Sequence, residues 1–398
     1  MLHIWPELLI AVQISDLQVY ERIPDNIVTA LEHNDRVGEI YVDGIELEDL
    51  VTVPVMQDPF PALRHLHLEA FDIPIVPDSF LGGSAPRLRS LYLRGFPYPS
   101  LPKLLLSATG LVRLSLFDRC YISPQMMVDC LTSLTRLEKL QIEFLDWPHE
   151  DRHQLGQHSP PLTRRTDLRH LPVLATLVFE GATEYFDHLF AHIDTPQVEN
   201  IELEFIDPPI FDFSRIFVFT GLKETFGALD QAHMGVENDD FVKVMLSSRR
   251  RTTSDTMLIL LIPRGNHELN WKFWELKQDQ RGHPTSLFPA NFERRNVRSG
   301  THHALPKLGK GQWLDLFRLF PAMENLYLSE GLAVCTAPVL RELAGEGVME
   351  VLPALQNLFI GNFESSDFIQ TVIGKFVAAR ELSGHPVAVQ GWTEEKGG

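Results

Sequence analysis

Apolar residues recur along this chain in one fixed phrase: an apolar residue, two variable ones, Leu or Ile, one variable residue, and another apolar. Phe60-Pro61-Ala62-Leu63-Arg64-His65-Leu66-His67-Leu68 is its fullest form, with a proline at the head. The phrase returns from Leu88 to Leu93, Leu111 to Leu116, Leu137 to Ile142, Leu174 to Phe179 and Val198 to Leu203. After a gap come Met323 to Leu328 and Leu355 to Ile360, and a weaker copy from Val37 to Val42 precedes them all. Each phrase ends apolar, polar, apolar, the alternation required of a strand with one buried face. The pattern predicts strands at 40–42, 66–68, 91–93, 114–116, 140–142, 177–179, 201–203, 326–328 and 358–360.

Copies begin 23 to 26 residues apart, except for one interval of 37 and, beyond the gap, one of 32. An LxxLxL phrase repeating every 20–29 residues or so is a leucine-rich repeat. One such strand with its return segment cannot bury its own apolar side, so neighbours stack and share a core. The expected fold is α/β: a leucine-rich-repeat solenoid, or horseshoe, with one curved parallel sheet and helices or turns on the convex side. Parallel order follows because each strand returns through a crossover on the same side. The expected division is a single unit over 1–398, with an N-terminal cap at 1–33 and regular repeats at 34–206. Degenerate repeats with a basic loop then occupy 207–310, and C-terminal repeats and a cap fill 311–398.

The return segments read mostly as helices. A short one runs from Pro24-Asp25-Asn26 through Leu31, and others span Pro102 to Ser107 and Glu184 to His192. Ser123 is an N-cap with Pro124 at the first helical position, and Met127, Val128, Leu131 and Leu134 share one face. Further helices are predicted over Gln312–Leu319, from Pro338 through Leu343, and from Ser365-Ser366-Asp367 to Leu382, where Gly384 suits a stop. Residues 146–170 hold three prolines and four histidines without apolar periodicity, and read as an inserted loop. Between Ile206 and Lys310 the phrase weakens. Phe241–Leu246 and Met257–Ile262 read as strands, Asn270–Gln278 as a helix, and 281–310 as a loop with six basic residues and one acid. The spacing between the phrases at 198 and 323 suits four or five degenerate rungs.

Composition narrows the partner. A net charge of −18 over 398 residues argues against nucleic acid, which needs a basic face. Cys120, Cys130 and Cys335 show no CxxC spacing, so neither a disulfide framework nor a cysteine zinc site is expected. No Asn-x-Ser/Thr occurs, the apolar run Met257–Pro263 is too short for a bilayer, and Met1–Pro6 lacks the features of a signal peptide. An intracellular setting is expected, cytoplasmic or nuclear, without membrane contact.

One string carries catalytic chemistry. His149-Glu150-Asp151-Arg152-His153 matches HExxH, which on a helix sets two zinc-binding imidazoles beside a general base. Gly156 and Pro160-Pro161 leave it about two helical turns, with no long apolar helix to bury. The chain has no G-x-S-x-G, no complete phosphate loop and no G-x-G-x-x-G after a strand. The expectation is a protein that is not an enzyme and uses no metal or cofactor.

Several segments resemble fungal F-box/leucine-rich-repeat-like (RNI-like) proteins: Ile27 to Val37, Pro77 to Leu88, Pro102 to Thr109 and Ile373 to Pro386. The resemblance covers nearly the whole chain and weakens between Phe213 and Lys310. It implies that the repeats hold a substrate protein while an F-box docks a Skp-type adaptor of a ubiquitin ligase. Trp5-Pro6-Glu7-Leu8-Leu9-Ile10-Ala11-Val12 resembles the opening of an F-box, but the chain then runs into Pro24 and the first repeat without a full set of packed helices. The implied function is protein–protein interaction, as the substrate-recognition repeats of an F-box-like protein. The alternative is a ligase-independent binding or sensor module, and a metallo-enzyme built on HExxH is the remotest reading.

In LxxLxL the apolar positions point inward and the residues between and after them face out. The middle column of this face carries Tyr41, His67, Tyr92, Glu202, Tyr327 and Phe359, and the column two residues on carries Arg94, Phe117, Glu143, Glu180 and Glu204. These eleven are the candidate partner-binding residues. Like charges stacked on neighbouring strands repel, so the glutamates predict an attracted basic segment. Such a segment could come from a partner or from Arg249-Arg250-Arg251 or the loop with Arg294, Arg295 and Arg298.

Overall fold

Each predicted LxL segment is a strand, and its two apolar residues are at most 3 % exposed while the residue between them keeps contact with solvent. This computed structural model describes residues 8–14, 25–45, 50, 53–70, 76–95, 97–144, 169–195, 197–205, 231–237, 241–247, 257–263, 310–318, 320–343, 351–361 and 367–392. The strands in the first half are β1 (Ile10–Ile14), β2 (Val37–Ile45), β3 (His65–Ala70), β4 (Ser90–Arg94), β5 (Arg113–Phe117) and β6 (Lys139–Glu143). They continue as β7 (Arg169–His170), β8 (Thr176–Gly181), β9 (Ile193–Asp194), β10 (Asn200–Phe205), β11 (Gln231–Glu237), β12 (Phe241–Ser247) and β13 (Met257–Pro263). The last are β14 (Asn325–Leu328), β15 (Asn357–Gly361) and β16 (Ala388–Trp392). The helices are α1 (Asp25–Leu31), α2 (Leu101–Ser107), α3 (Pro124–Ser133), α4 (Thr183–Ala191), α5 (Lys310–Arg318), α6 (Glu330–Leu343) and α7 (Asp367–Leu382).

The proline that heads the phrase has a local cause. In the copies at 63, 88, 174, 323 and 355 the first apolar N–H donates to the carbonyl three residues earlier, at 3.1 to 3.3 Å, which closes a turn. Pro61, Pro86, Pro172, Pro321 and Pro353 each occupy the second position of that turn, where the ring presets φ near −65°. The turn then aims the chain into its strand.

Fourteen strands form one open sheet in the order β1-β2-β3-β4-β5-β6-β8-β10-β13-β12-β11-β14-β15-β16, and β7 pairs with β9 separately. The eight from β1 to β10 are consecutive parallel neighbours. The chain is therefore α/β with a large, mainly parallel sheet and helices. All nine expected strands lie in this sheet and run the same way.

Residues 207–310 correct the expectation of successive degenerate rungs. Their described strands form a meander that enters the sheet in reverse order, β13 beside β10 and β11 beside β14. Strand β12 pairs antiparallel on both sides and is the one strand of the large sheet, among the described residues, that opposes the rest. Only residues 238–240 separate β11 from β12, whereas a parallel neighbour needs a crossover of about a dozen residues or more. Two smaller corrections follow. Within the expected cap at 1–33, Ile10–Ile14 is a strand that pairs parallel with β2. Helix α6 starts at Glu330 rather than Pro338, its first bond already made from Ala333 N–H to the Ser329 carbonyl at 2.9 Å, so Pro338 lies inside it.

Helices α2, α3 and α4 pack side by side. The leucine side of the sheet and their buried residues, Leu104 and Leu105, Met127 and Leu131, Phe186 and Leu189, belong to one continuous core. Each fully buried leucine there contributes about 1.5–3 kcal/mol. Tyr185 is buried whole and donates its hydroxyl to the Ile122 carbonyl at 2.9 Å, which satisfies the polar tip. At the C-terminal end Arg380 of α7 is 1 % exposed and donates to the carbonyls of Pro353 and Leu355 at 3.3 and 3.0 Å. Gly384 follows at φ +81°, with His385 N–H bonded to the Arg380 carbonyl, the left-handed stop expected there.

Candidate functional site

Because side chains alternate along a strand, burial of the leucines against the helices turns the residues between them to the opposite face. Strand register decides which of these become neighbours. Tyr41, His67, Tyr92, Ser115, Gln141, Val178 and Glu202 pair in succession from β2 to β10. Two residues on, Glu69, Arg94, Phe117, Glu143, Glu180 and Glu204 do the same. Both expected columns are present over these strands. Glu202 stands in the middle column, opposite Val178, so only Glu143, Glu180 and Glu204 are direct neighbours in a line.

The register packs four rings into a stack. His67 lies between Tyr41 and Tyr92, with centroids 4.1 and 3.9 Å away and planes within 16° and 9° of parallel. Phe117 continues the row at 4.8 Å from Tyr92, tilted by 39°. Ring pairs of this kind add about 0.5–1.5 kcal/mol each beyond area burial. The His67 Nε2 is buried without a hydrogen-bond partner among the described residues, and burial pushes the imidazole down to about 4. That ring is neutral at physiological pH.

Beside the stack the Arg94 guanidinium bridges two carboxylates, Glu69 at 3.4 Å and Asp118 at 3.2 Å, and its carbon lies 5.7 Å from the Phe117 centroid. The Tyr92 hydroxyl donates to Glu69 at 3.3 Å. Burial pushes the Glu69 carboxyl up, and Arg94 opposes this. Burial also works against the charge on Arg94, but Glu69 and Asp118 hold it well above the usual range. Burial, then Glu69, raises the Tyr92 phenol beyond any physiological pH. Arg94 thus keeps its charge while it ties Glu69 and Asp118 together.

Glu69 and Asp118 were not among the candidate residues. The sequence pattern puts Glu69 directly before Arg94 in the same outward column, but does not show that the two side chains meet. Asp118 could not have been found, because it reaches Arg94 only through a left-handed backbone turn at φ +53° after β5. The first column of the face carries Arg113 and Lys139 as neighbours on β5 and β6, so on β6 Lys139 and Glu143 stand at opposite ends of one strand. Far along the sheet Tyr327 and Phe359 form their own stack, 4.2 Å apart and 6° from parallel. Strands β6, β8, β10, β13, β12 and β11 lie between it and the first four rings, so the candidates fall into two separate groups.

No family model, curated protein or solved structure matches the chain. Among the described residues no group of three or more His, Cys, Asp or Glu side chains is placed to hold a metal ion, and no helix is long and apolar enough to cross a membrane. His149–His153, Asn270–Gln278, Arg249-Arg250-Arg251 and the loop with Arg294, Arg295 and Arg298 lie outside the described residues.

Proposed function

We propose that this chain is a leucine-rich-repeat solenoid, one unit from end to end, whose sheet face binds a protein partner inside the cell. The observation that carries this is the stack of Tyr41, His67 and Tyr92 across β2 to β4, on the face turned away from α2, α3 and α4. Rings held by their neighbours lose little freedom when a partner arrives, and Tyr and Arg are enriched where interfaces gain most of their energy. Solenoids characteristically bind through extended faces of this kind. The test places a photocrosslinking benzophenone residue at Tyr41 on the sheet face and, separately, at Met126 on α3, which is 47 % exposed. Proteins captured from position 41 but not 126, and then rebound as purified partners, support the reading. Equal capture from both positions, or none from 41, removes it.

The resemblance to fungal F-box/leucine-rich-repeat-like proteins extends the proposal to substrate recognition for a ubiquitin ligase. One observation favours the alternative, a ligase-independent module: Ile10–Ile14, which overlaps the stretch that resembles an F-box opening at Ile10 to Val12, is a strand bonded to β2. Co-purification with a Skp-type adaptor separates the two. The chain alone is expected not to retain the adaptor, and stoichiometric retention through residues 1–33 would restore the ligase role.

A further inference from the structure

Helices α3 and α4 pack side by side, and between them two imidazoles and an amide come together. His188 and His192 are four positions apart, the first inside α4 and the second at its C-cap, so both side chains fall on one face. Their ring centroids are 5.0 Å apart and their planes are tilted by 39°. Gln125 and Asp129 have the same spacing on α3, and the Gln125 amide donates to the Asp129 carboxylate at 3.3 Å. That bond leaves the amide oxygen, Oε1, toward His188, whose Nε2 lies 3.5 Å away. Gln125 and Asp129 are exposed and both imidazoles are partly so, which opens the cluster to small ions.

The separation of 3.5 Å is longer than an ordinary N–H···O bond of about 2.7–3.2 Å. Two ligand atoms about 2.0–2.1 Å from one tetrahedral ion stand about 3.4 Å apart, which is close to it. The same ion on one nitrogen of each ring sets the ring centres about 5 Å apart. The His192 tautomer also fits. Its Nδ1 faces the His188 carbonyl at 2.8 Å, and a carbonyl only accepts, so Nδ1 carries the proton and Nε2 the lone pair. Metal-bound histidines characteristically hold their second nitrogen in this way. Burial, then His192, pulls the His188 imidazole down, which favours its neutral, ligating form. The C-terminal end of α4 adds partial negative charge beside the rings.

We propose that His188, His192 and the Gln125 amide oxygen form a site for an imidazole-preferring divalent metal ion, Zn²⁺ or Cu²⁺, that clips α3 to α4. Water completes the coordination, and Asp129 orients the amide from behind. The site departs from the expectation of a chain without metal. Its donors are two imidazoles and an amide carbonyl, fewer than three of His, Cys, Asp or Glu. The affinity expected is therefore that of a surface site rather than of a structural zinc centre.

The test titrates Zn²⁺ alone, by calorimetry, into the full chain carrying His149→Ala/His153→Ala. That background removes the one other pair of histidines four positions apart in the sequence. Zn²⁺ is expected to bind, with Kd weakened about tenfold or more by His188→Ala and by His192→Ala, and less by Gln125→Ala. It should also raise the melting midpoint of the background chain and not that of the two histidine variants. Loaded with Cu²⁺, the background chain should show two coordinated imidazoles by pulsed electron paramagnetic resonance, and each histidine variant one. Circular dichroism without metal checks that the variants fold; His188→Gln and His192→Gln replace an alanine variant that does not, and the imidazole count on the background chain needs neither. Absence of Zn²⁺ binding, affinity unchanged by either histidine substitution, or a single imidazole on Cu²⁺ in the background chain overturns the proposal.

Discussion

Replacing His67 with phenylalanine removes the one ring of the aromatic stack that titrates on the acid side of neutrality. The imidazole is held neutral by burial, at about 4 against an ordinary 6.5, between Tyr41 and Tyr92. Its folded value lies below its unfolded value, so the unfolded chain binds more protons between those limits. Stability is lost as pH falls from about 6.5 toward 4. The whole gap would amount to about 3 kcal/mol at 1.36 kcal/mol per pH unit. The ring keeps some solvent contact, and two tyrosine faces partly compensate an imidazolium, which together reduce the effect to about 1–2 kcal/mol. The facing groups do not imitate it: burial raises both Tyr41 and Tyr92, so they stay neutral throughout. Glu69, on the same strand, is raised by burial and titrates in the opposite sense, equally in parent and variant. Urea unfolding of parent and His67→Phe at about pH 7 and about pH 4.5 measures the difference. The variant's relative stability should rise by about 1–2 kcal/mol on acidification. Parallel pH curves would refute the argument, since they would mean that His67 titrates normally in the fold.

Three further outcomes test the architecture. Leu114→Ala, at a fully buried position in β5, should cost about 2–5 kcal/mol in chemical denaturation. Arg380→Met keeps the apolar stem but leaves the carbonyls of Pro353 and Leu355 without their donor. It should cost about 2–3 kcal/mol, and hydrogen exchange should accelerate in β15 and β16 rather than in β4 to β6. Gly384→Ala forces a side chain into φ +81° with no atom within 4 Å to clash, so a backbone cost of about 1 kcal/mol is expected in thermal unfolding.

The sequence by itself determined the nine parallel strands and the two outward columns. It could do so because these features are local: a period of two sets each face, similar phrases stack in register, and in the copies at 63, 88, 174, 323 and 355 a proline presets the turn that leads into the strand. Tyr41, His67 and Tyr92 were legible as neighbours for the same reason. What the rings do to one another was not. The flat stack, the buried His67 nitrogen and the bridge from Glu69 through Arg94 to Asp118 depend on side-chain torsions and on a left-handed turn that no spacing encodes. Tertiary structure alone also decided the reversed meander. Gln231–Glu237 alternates Ala232, Met234 and Val236 with Gln231, His233, Gly235 and Glu237, but it carries no LxxLxL phrase, and alternation alone does not say which strands it pairs with. Its strand conformation comes from the backbone hydrogen bonds offered by β12 and β14, partners about 10 and 94 positions further along the chain.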